Sequence, residues 1–235
     1  MYFNMKTILA RGGIEFIAVF LGIALSLWVD EYSENNEIQR LNDSILNRLY
    51  DNLESDSTNF TWVINAHKTS LKSCKSITKW IESNHDIHDS VNIDISRIAI
   101  NTFTWANKEE YSSLKTSGRI DLIKNEELVK TLHEYYSQIE FAQKIEDDLN
   151  SSWIQNEFIP FIADYSNYFG NPIKEDIYGY YYPQFILYAA PEKNKMKYFV
   201  SRKMKTSNGA IYVYDELLTL TKKLRKLIRG TIKIT

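Results

Sequence analysis

The chain has 235 residues and a formal charge of −2, with 44% hydrophobic and 14% aromatic residues, a composition that excludes a disordered polypeptide. Eight glycines and four prolines are too few for a many-stranded β fold, and one cysteine, Cys74, excludes an internal disulfide and a cysteine-built zinc site. Charge is divided unevenly: residues 193–235 hold twelve Lys/Arg against two acids, Asp215 and Glu216, while the preceding residues hold sixteen against twenty-eight. That split predicts that the two ends meet different surroundings, or each other.

Residues 1–7 form a short leading segment. Residues 16–29, FIAVFLGIALSLWV, are uncharged. Alone they would make about 21 Å of helix, less than the ~30 Å of a bilayer core. Extension back to Ile8 predicts a transmembrane helix over 8–29 and takes in Arg11 and Glu15, which lie four apart and can pair. Tyr2 and Phe3 suit one interface, Trp28 and Tyr32 the other. Lys6 and Arg11 precede the span, and Asp30, Glu31, Glu34 and Glu37 follow it. This bias places the N-terminus in the cytoplasm and the remainder outside, in the periplasm of a cell with an inner membrane. Ala24-Leu25-Ser26 could serve as a signal cleavage site, but Leu27 and Trp28 follow and the helical pattern continues, which favours a retained anchor. Arg11, Glu15, Ala18, Gly22 and Ser26 share one helix face, and the last three form a small-residue ridge suited to close packing against another membrane helix.

Apolar residues then recur at spacings of three or four from Ile38 to Ile81, with no glycine or proline between residues 23 and 117. This predicts a long helix over 30–83, reaching about 80 Å, with a possible break at Asp56-Ser57-Thr58-Asn59. The pattern is too irregular for a parallel coiled coil, so folding back against later helices is expected. Residues 84–165 read as a bundle segment: a polar turn at 84–92, short helices at about 93–103 and 107–117, Gly118 as a left-handed helix end, and Asn125 capping a helix from Glu126 to about Asn156 that Pro160 kinks or ends. Residues 166–209 read as an irregular aromatic segment, whose tyrosines at 178–188 could form a ligand platform or pack over the bundle end. A basic amphipathic helix closes the chain within 210–235. The predicted fold class is all-α: a membrane helix running into an elongated helical bundle or hairpin.

Gly13–Glu37 and Tyr111–Tyr136 (YSSLKTSGRIDLIKNEELVKTLHEYY) together carry a resemblance. The chain resembles uncharacterised single-pass membrane proteins of Bacteroidota with a helical domain of unknown function. The positions concerned are Glu15, Trp28, Tyr111, Leu114, Ser117, Gly118, Leu122, Ile123, Lys124, Asn125, Leu128, Tyr135 and Tyr136. The Trp-Val-Asp-Glu exit departs from the Asn-rich exit more usual there. The resemblance implies membrane anchoring and brings no activity.

Catalytic signatures are lacking: there is no Gly-x-Ser-x-Gly, phosphate loop or His-Glu-x-x-His. His85-Asp86-Ile87-His88-Asp89 reads as a surface turn in preference to a metal site, and His67 and Cys74 as buried packing residues. No cofactor, metal or nucleic-acid partner is expected. The basic residues Lys222, Lys223, Arg225, Lys226 and Arg229 exceed what a helix end needs, and are expected to meet anionic headgroups or an acidic partner if the chain end folds back towards the membrane. The expected function is therefore non-enzymatic: a membrane interaction or scaffolding protein, a homo-oligomer or bound to another membrane protein. The alternatives are a ligand-sensing bundle that signals through a membrane partner, an ion-coupled subunit using Glu15, and an enzyme.

Overall fold

The computed structural model of the chain describes residues 5–83, 86–168 and 185–232, with side-chain surroundings from Phe16 onward. The fold is all-α, as the scarcity of helix breakers predicts, with one short two-stranded ribbon among the described residues. The chain divides into two units, Met1–Asn47 and Arg48–Thr235.

Helix α1 (Met5–Glu82) continues through residues 56–59, where the sequence allowed a break. The hydroxyls there bond back along the helix and do not end it: Thr58 Oγ1 donates to the Glu54 carbonyl at 3.3 Å and Thr61 Oγ1 to that of Ser57 at 2.8 Å. In the first unit, every residue of α1 from Phe16 to Gly22, and on to Asn35, is exposed. By length and composition this part of α1 can cross a membrane.

The second unit is built on three long helices. Along α1 the buried positions Leu49, Leu53, Asp56, Phe60, Val63, His67, Ser70, Cys74, Ile77 and Ile81 alternate in steps of four and three. That is the heptad spacing of helices packed at a shallow angle. Asp56 and Ser70 also occupy core positions, which breaks the apolar pattern.

Helix α2 (Asp89–Ile98) starts inside the stretch expected to be a polar turn. Helix α3 (Glu109–Thr116) ends at Gly118, whose φ of 70° is the left-handed conformation expected of it. Between α2 and α3, where a helix was expected to reach 103, the chain is extended. Ile100, Thr102 and Thr104 are buried while the residues between them are not, the period-two alternation of a strap laid on the helices. β-branched Ile100, Thr102 and Thr104 favour this extended form.

Helix α4 (Glu126–Lys144) has Asn125 as its N-cap, accepting from the Leu128 N–H at 3.1 Å. Helical winding then continues through two wider π-type stretches, Ile145–Ser151 and Ile154–Phe158, into α5 (Ile159–Ala163). Pro160 does not end the winding, because it lies in the first turn of α5, where its missing N–H costs least. Wider winding brings residues four apart nearly into line, and Ala142, Glu146, Asn150, Ile154 and Phe158 are all fully buried.

Strands β1 (Ser166–Tyr168) and β2 (Phe185–Leu187) pair antiparallel, with Ser166 opposite Leu187 and Tyr168 opposite Phe185. Phe185 and Leu187 donate backbone N–H groups to Ser96 Oγ at 3.1 Å and Asn92 Oδ1 at 3.0 Å, which ties the ribbon to α2. The core here joins Cys74, Ile77, Trp153, Phe158, Phe161 and Phe199. The expected platform residues Tyr178, Tyr180, Tyr181 and Tyr182 lie outside the described residues.

Helix α6 (Lys193–Thr231) begins well before residue 210 and takes in much of the segment expected to be irregular. Glu192 caps it, accepting from the N–H groups of Asn194 and Lys195, both at 2.8 Å. Its buried positions Met196, Phe199, Lys203, Ser207, Ala210, Tyr214, Leu217, Thr221, Leu224 and Ile228 again step by three and four. Lys203, Ser207 and Thr221 interrupt the apolar run, which hides the first half of the helix from a hydropathy reading.

At one level these polar core residues meet. Buried Lys203 donates its ammonium to the Ile100 carbonyl and to Asn150 Oδ1, both at 2.9 Å. Asn150 Nδ2 donates to Glu146 Oε2 at 3.0 Å, and Thr102 Oγ1 donates to the same oxygen at 2.6 Å. His67 Nε2 lies 2.9 Å from Glu146 Oε1, and its Nδ1 lies 3.1 Å from Ser207 Oγ. Burial pushes Lys203 down to about 8, against the attraction of Glu146. Burial alone would raise Glu146, but hydrogen bonds from His67 and Thr102 and the charges of His67 and Lys203 outweigh it and hold the carboxyl below its ordinary range. Cys74 is fully buried, as expected, and burial pushes its thiol up to about 12.

Removing one member of such a layer leaves its partners buried and unsatisfied, at a cost of about 3–5 kcal/mol. Lys203→Met should therefore destabilise the full chain by roughly that amount in denaturant unfolding. The double variant Lys203→Met/Glu146→Gln should lose less than the sum of the two single losses, because it removes both charges together. Strict additivity would show that the two groups do not interact.

Candidate functional site

Three surfaces are candidates for a functional site, and the sequence pointed to two of them. The first is the early part of α1. Ala18, Gly22 and Ser26 are exposed, and a Cβ placed on Gly22 would meet nothing within 4 Å. Among the described residues, then, nothing requires glycine at 22. Arg11 and Glu15 lie on α1, four residues apart, but their side-chain surroundings fall outside the described residues.

The second surface is at the end of α6. Lys222, Arg225, Lys226 and Arg229 come together with Tyr50 of α1 around a depression of about 430 Å³. Helical spacing produces the cluster, since positions 222, 225, 226 and 229 share one face. The Arg225 guanidinium lies 4.5 Å from the centre of the Tyr50 ring and that of Arg229 4.8 Å, so one ring holds two cations through its negative face. Arg225 also donates to Tyr50 Oη at 3.0 Å and to Glu54 Oε2 at 3.2 Å, while its Nε is buried with no partner among the described residues. Lys223 does not belong to this group; it projects to Glu127 of α4 at 3.0 Å. The acids that the structure brings to these cations are therefore Glu54 and Glu127. One carboxylate among four cations leaves the depression strongly positive, a setting suited to an anion.

The third surface was not foreseen. Where the extended strap crosses α1, a groove of about 590 Å³ opens between Asn52, Ser55, Asp56 and Asn59 on one side and residues 104–109 on the other, with Gln143 of α4 at its edge. Trp105 stands in it with 60% of its surface exposed. Asp56 is buried and held by two donors, Tyr135 Oη at 2.6 Å and the Asn107 N–H at 3.4 Å. Burial, only partly offset by these bonds, pushes Asp56 up to about 6. Asn59 Oδ1 accepts the Trp105 N–H at 3.2 Å, and Lys108 Nζ donates to Gln143 Oε1 at 2.8 Å. No local motif could reveal the groove, because its walls come from three distant stretches. The available signal was a lone Trp in a β-branched run beside a polar helix face.

Some of the positions named for the resemblance pack together near Asp56, whereas Trp28 is exposed on the early part of α1. Tyr111 stacks on Tyr136 with ring centres 4.0 Å apart, Leu114 and Leu128 are fully buried, and Tyr135 is the donor that fixes Asp56. Tyr111 Oη lies 2.6 Å from His133 Nδ1. Among the expected turn residues, His88 Nδ1 lies 2.7 Å from Ser90 Oγ, and His85 is outside the described residues. Among the described residues no group of three or more His, Cys, Asp or Glu is placed to hold a metal ion.

Compared with known proteins, the chain matches no family model, no curated protein and no solved structure.

Proposed function

We propose that this chain is a single-pass membrane protein of the bacterial envelope that acts by association, holding a helical domain at the outer face of the inner membrane. The observation that carries this reading is the early part of α1: fourteen uncharged residues, 16–29, all of them exposed. Large apolar side chains such as Phe16, Phe20, Leu27 and Trp28 are more than half exposed, which water does not favour and lipid does. Lys6 and Arg11 before the span, with acids after it, favour a cytoplasmic N-terminus. The open ridge of Ala18, Gly22 and Ser26 supports a helical partner in the membrane, either a second copy or another protein. The positive depression on α6 suits anionic headgroups or an acidic partner. The only nucleophile–base–carboxylate alignment described above, Ser207, His67 and Glu146, has no exposed surface at the serine, which favours a structural role for it.

A second reading, that of a ligand-sensing bundle, is favoured by the groove beside Asp56 and Trp105. Anchoring and sensing are compatible in one chain.

Two measurements test the proposal. A reporter that works only outside the cytoplasm, fused after Thr235, should be active, and the fusion should stay with membranes through alkaline extraction. Reporter activity in the cytoplasm, or release at alkaline pH, would overturn the anchored reading. Cysteine crosslinking along residues 16–29 in native membranes should show a helical period with maxima near 18, 22 and 26. Gly22→Ile should cut crosslinking several-fold by holding the helices apart, and Ile23→Leu should not. Equal crosslinking at every position would remove the packing face.

A further inference from the structure

The groove between α1 and the strap carries an inference beyond membrane association. At about 590 Å³ it falls within the ~300–1,000 Å³ of small-ligand sites. Its lining selects among ligand classes. Most of its polar groups are neutral carboxamides and hydroxyls: Asn52, Asn59, Asn107 and Gln143 with Ser55 and Thr104. Such groups both donate and accept hydrogen bonds. A matching ligand must also donate and accept at closely spaced positions.

Several of these groups are held in place with capacity to spare. Asn59 is buried, and its Oδ1 is committed to the Trp105 N–H, which leaves its Nδ2 protons without a partner among the described residues. Asn52 Nδ2 donates to Glu110 Oε2 at 2.8 Å, which leaves the Asn52 carbonyl oxygen free to accept. Each Asp56 oxygen already holds one donor and can accept a second. The ligand would meet oriented groups and would not have to order them.

Trp105 supplies the remaining element. Its backbone is pinned by Asn59, its ring is braced edge-on by Phe103 at 5.6 Å, and its indole N–H has no partner among the described residues. An exposed, braced indole beside a row of fixed hydrogen-bonding groups offers a flat apolar face next to a polar wall. A pyranose has that same division, with axial C–H groups on its faces and hydroxyls around its rim.

Other classes fit less well. A phosphate would meet Asp56 and Glu109, while Lys108 is already bonded to Gln143. An ammonium ligand donates only, and would leave the Asn59 donors unmatched. An apolar ligand would bury this polar wall without partners.

We infer that the groove is a carbohydrate-binding site, in which a pyranose ring stacks on Trp105 and its hydroxyls bond to Asp56, Asn59 and Asn52.

The test uses the full chain in a zwitterionic detergent, because a glycosidic detergent would compete. The labelled protein is passed over an array of defined oligosaccharides of glucose, N-acetylglucosamine, mannose and galactose, and the affinity of any retained sugar is then measured by calorimetry. The unmodified chain should bind at least one of these sugars. Trp105→Ala should weaken that binding at least tenfold. Ser55→Trp should abolish it by filling the groove while removing no hydrogen bond to a described residue. Circular dichroism and melting curves for both variants should match the unmodified chain. If Trp105→Ala proves unstable, Ser55→Trp still decides the question. Retention of no sugar on the array, or equal binding by the unmodified chain and Ser55→Trp, would overturn the inference. Neither outcome would bear on membrane anchoring, which rests on α1.

Discussion

Lys203 is a primary ammonium with no exposed surface, and every proton it carries must find an acceptor inside the protein. The helical domain supplies acceptors for two of the three ammonium protons. The strap contributes the Ile100 carbonyl and the π-wound part of the chain contributes Asn150. Glu146 supplies the opposing charge and is itself satisfied by His67 of α1 and Thr102 of the strap. One layer thus takes a group from each long helix and from the segment that crosses them. A slip of any helix by one residue would carry its polar group out of the layer and leave a charge uncompensated. Apolar heptad cores tolerate such slips far better, so this layer supplies the register that the surrounding leucines and isoleucines do not.

The wide winding of residues 145–158 follows from the same demand. In an ordinary helix, a run of residues four apart drifts around the axis, and 142, 146, 150, 154 and 158 would leave the core one after another. Wider turns keep them in line, so Glu146 and Asn150 face Lys203 while Ile154 and Phe158 still reach the aromatic core around Trp153 and Phe199. The strap depends on the layer as well. Its carbonyl at Ile100 and hydroxyl at Thr102 are held there, which fixes the path of Thr104, Trp105 and Asn107 over α1 and so sets the shape of the groove. The layer and the groove also share a side chain: Tyr214 lies against Glu146 and bonds Thr104 Oγ1 at 2.6 Å.

This explains which parts of the molecule were legible in the sequence. Local chemistry was readable where the sequence itself settles the structure: the Asn125 cap, the left-handed Gly118, and the uncharged run of 16–29. The basic cluster at 222–229 was readable because helical spacing alone brings it together, although Lys223 turned out to face Glu127. Reading failed where tertiary demands put polar residues at core positions. His67 was expected to be plain packing and is instead bonded through both ring nitrogens. Lys203 and Ser207 hid the first half of α6, and Asp56 and Ser70 disguised the heptad of α1. The short helix expected over 93–103 ends at Ile98, while the alternation of Ile100, Thr102 and Thr104 carries the signal of an extended strap. The groove left only a lone Trp in a β-branched run as its signal, since Asn59 and Trp105 are 46 residues apart and meet only because the strap is held.

The most direct test of this dependence is the titration of Lys203 itself, followed by NMR of ¹³C-labelled lysine side chains in the full chain. A sealed ammonium held by the layer should titrate at about 8, well below the ordinary lysine value of ~10.4. Its signal should disappear in Lys203→Met. Titration of Lys203 at that ordinary value would show that the ammonium is solvated, and would contradict the layer as the element that holds the helices in register.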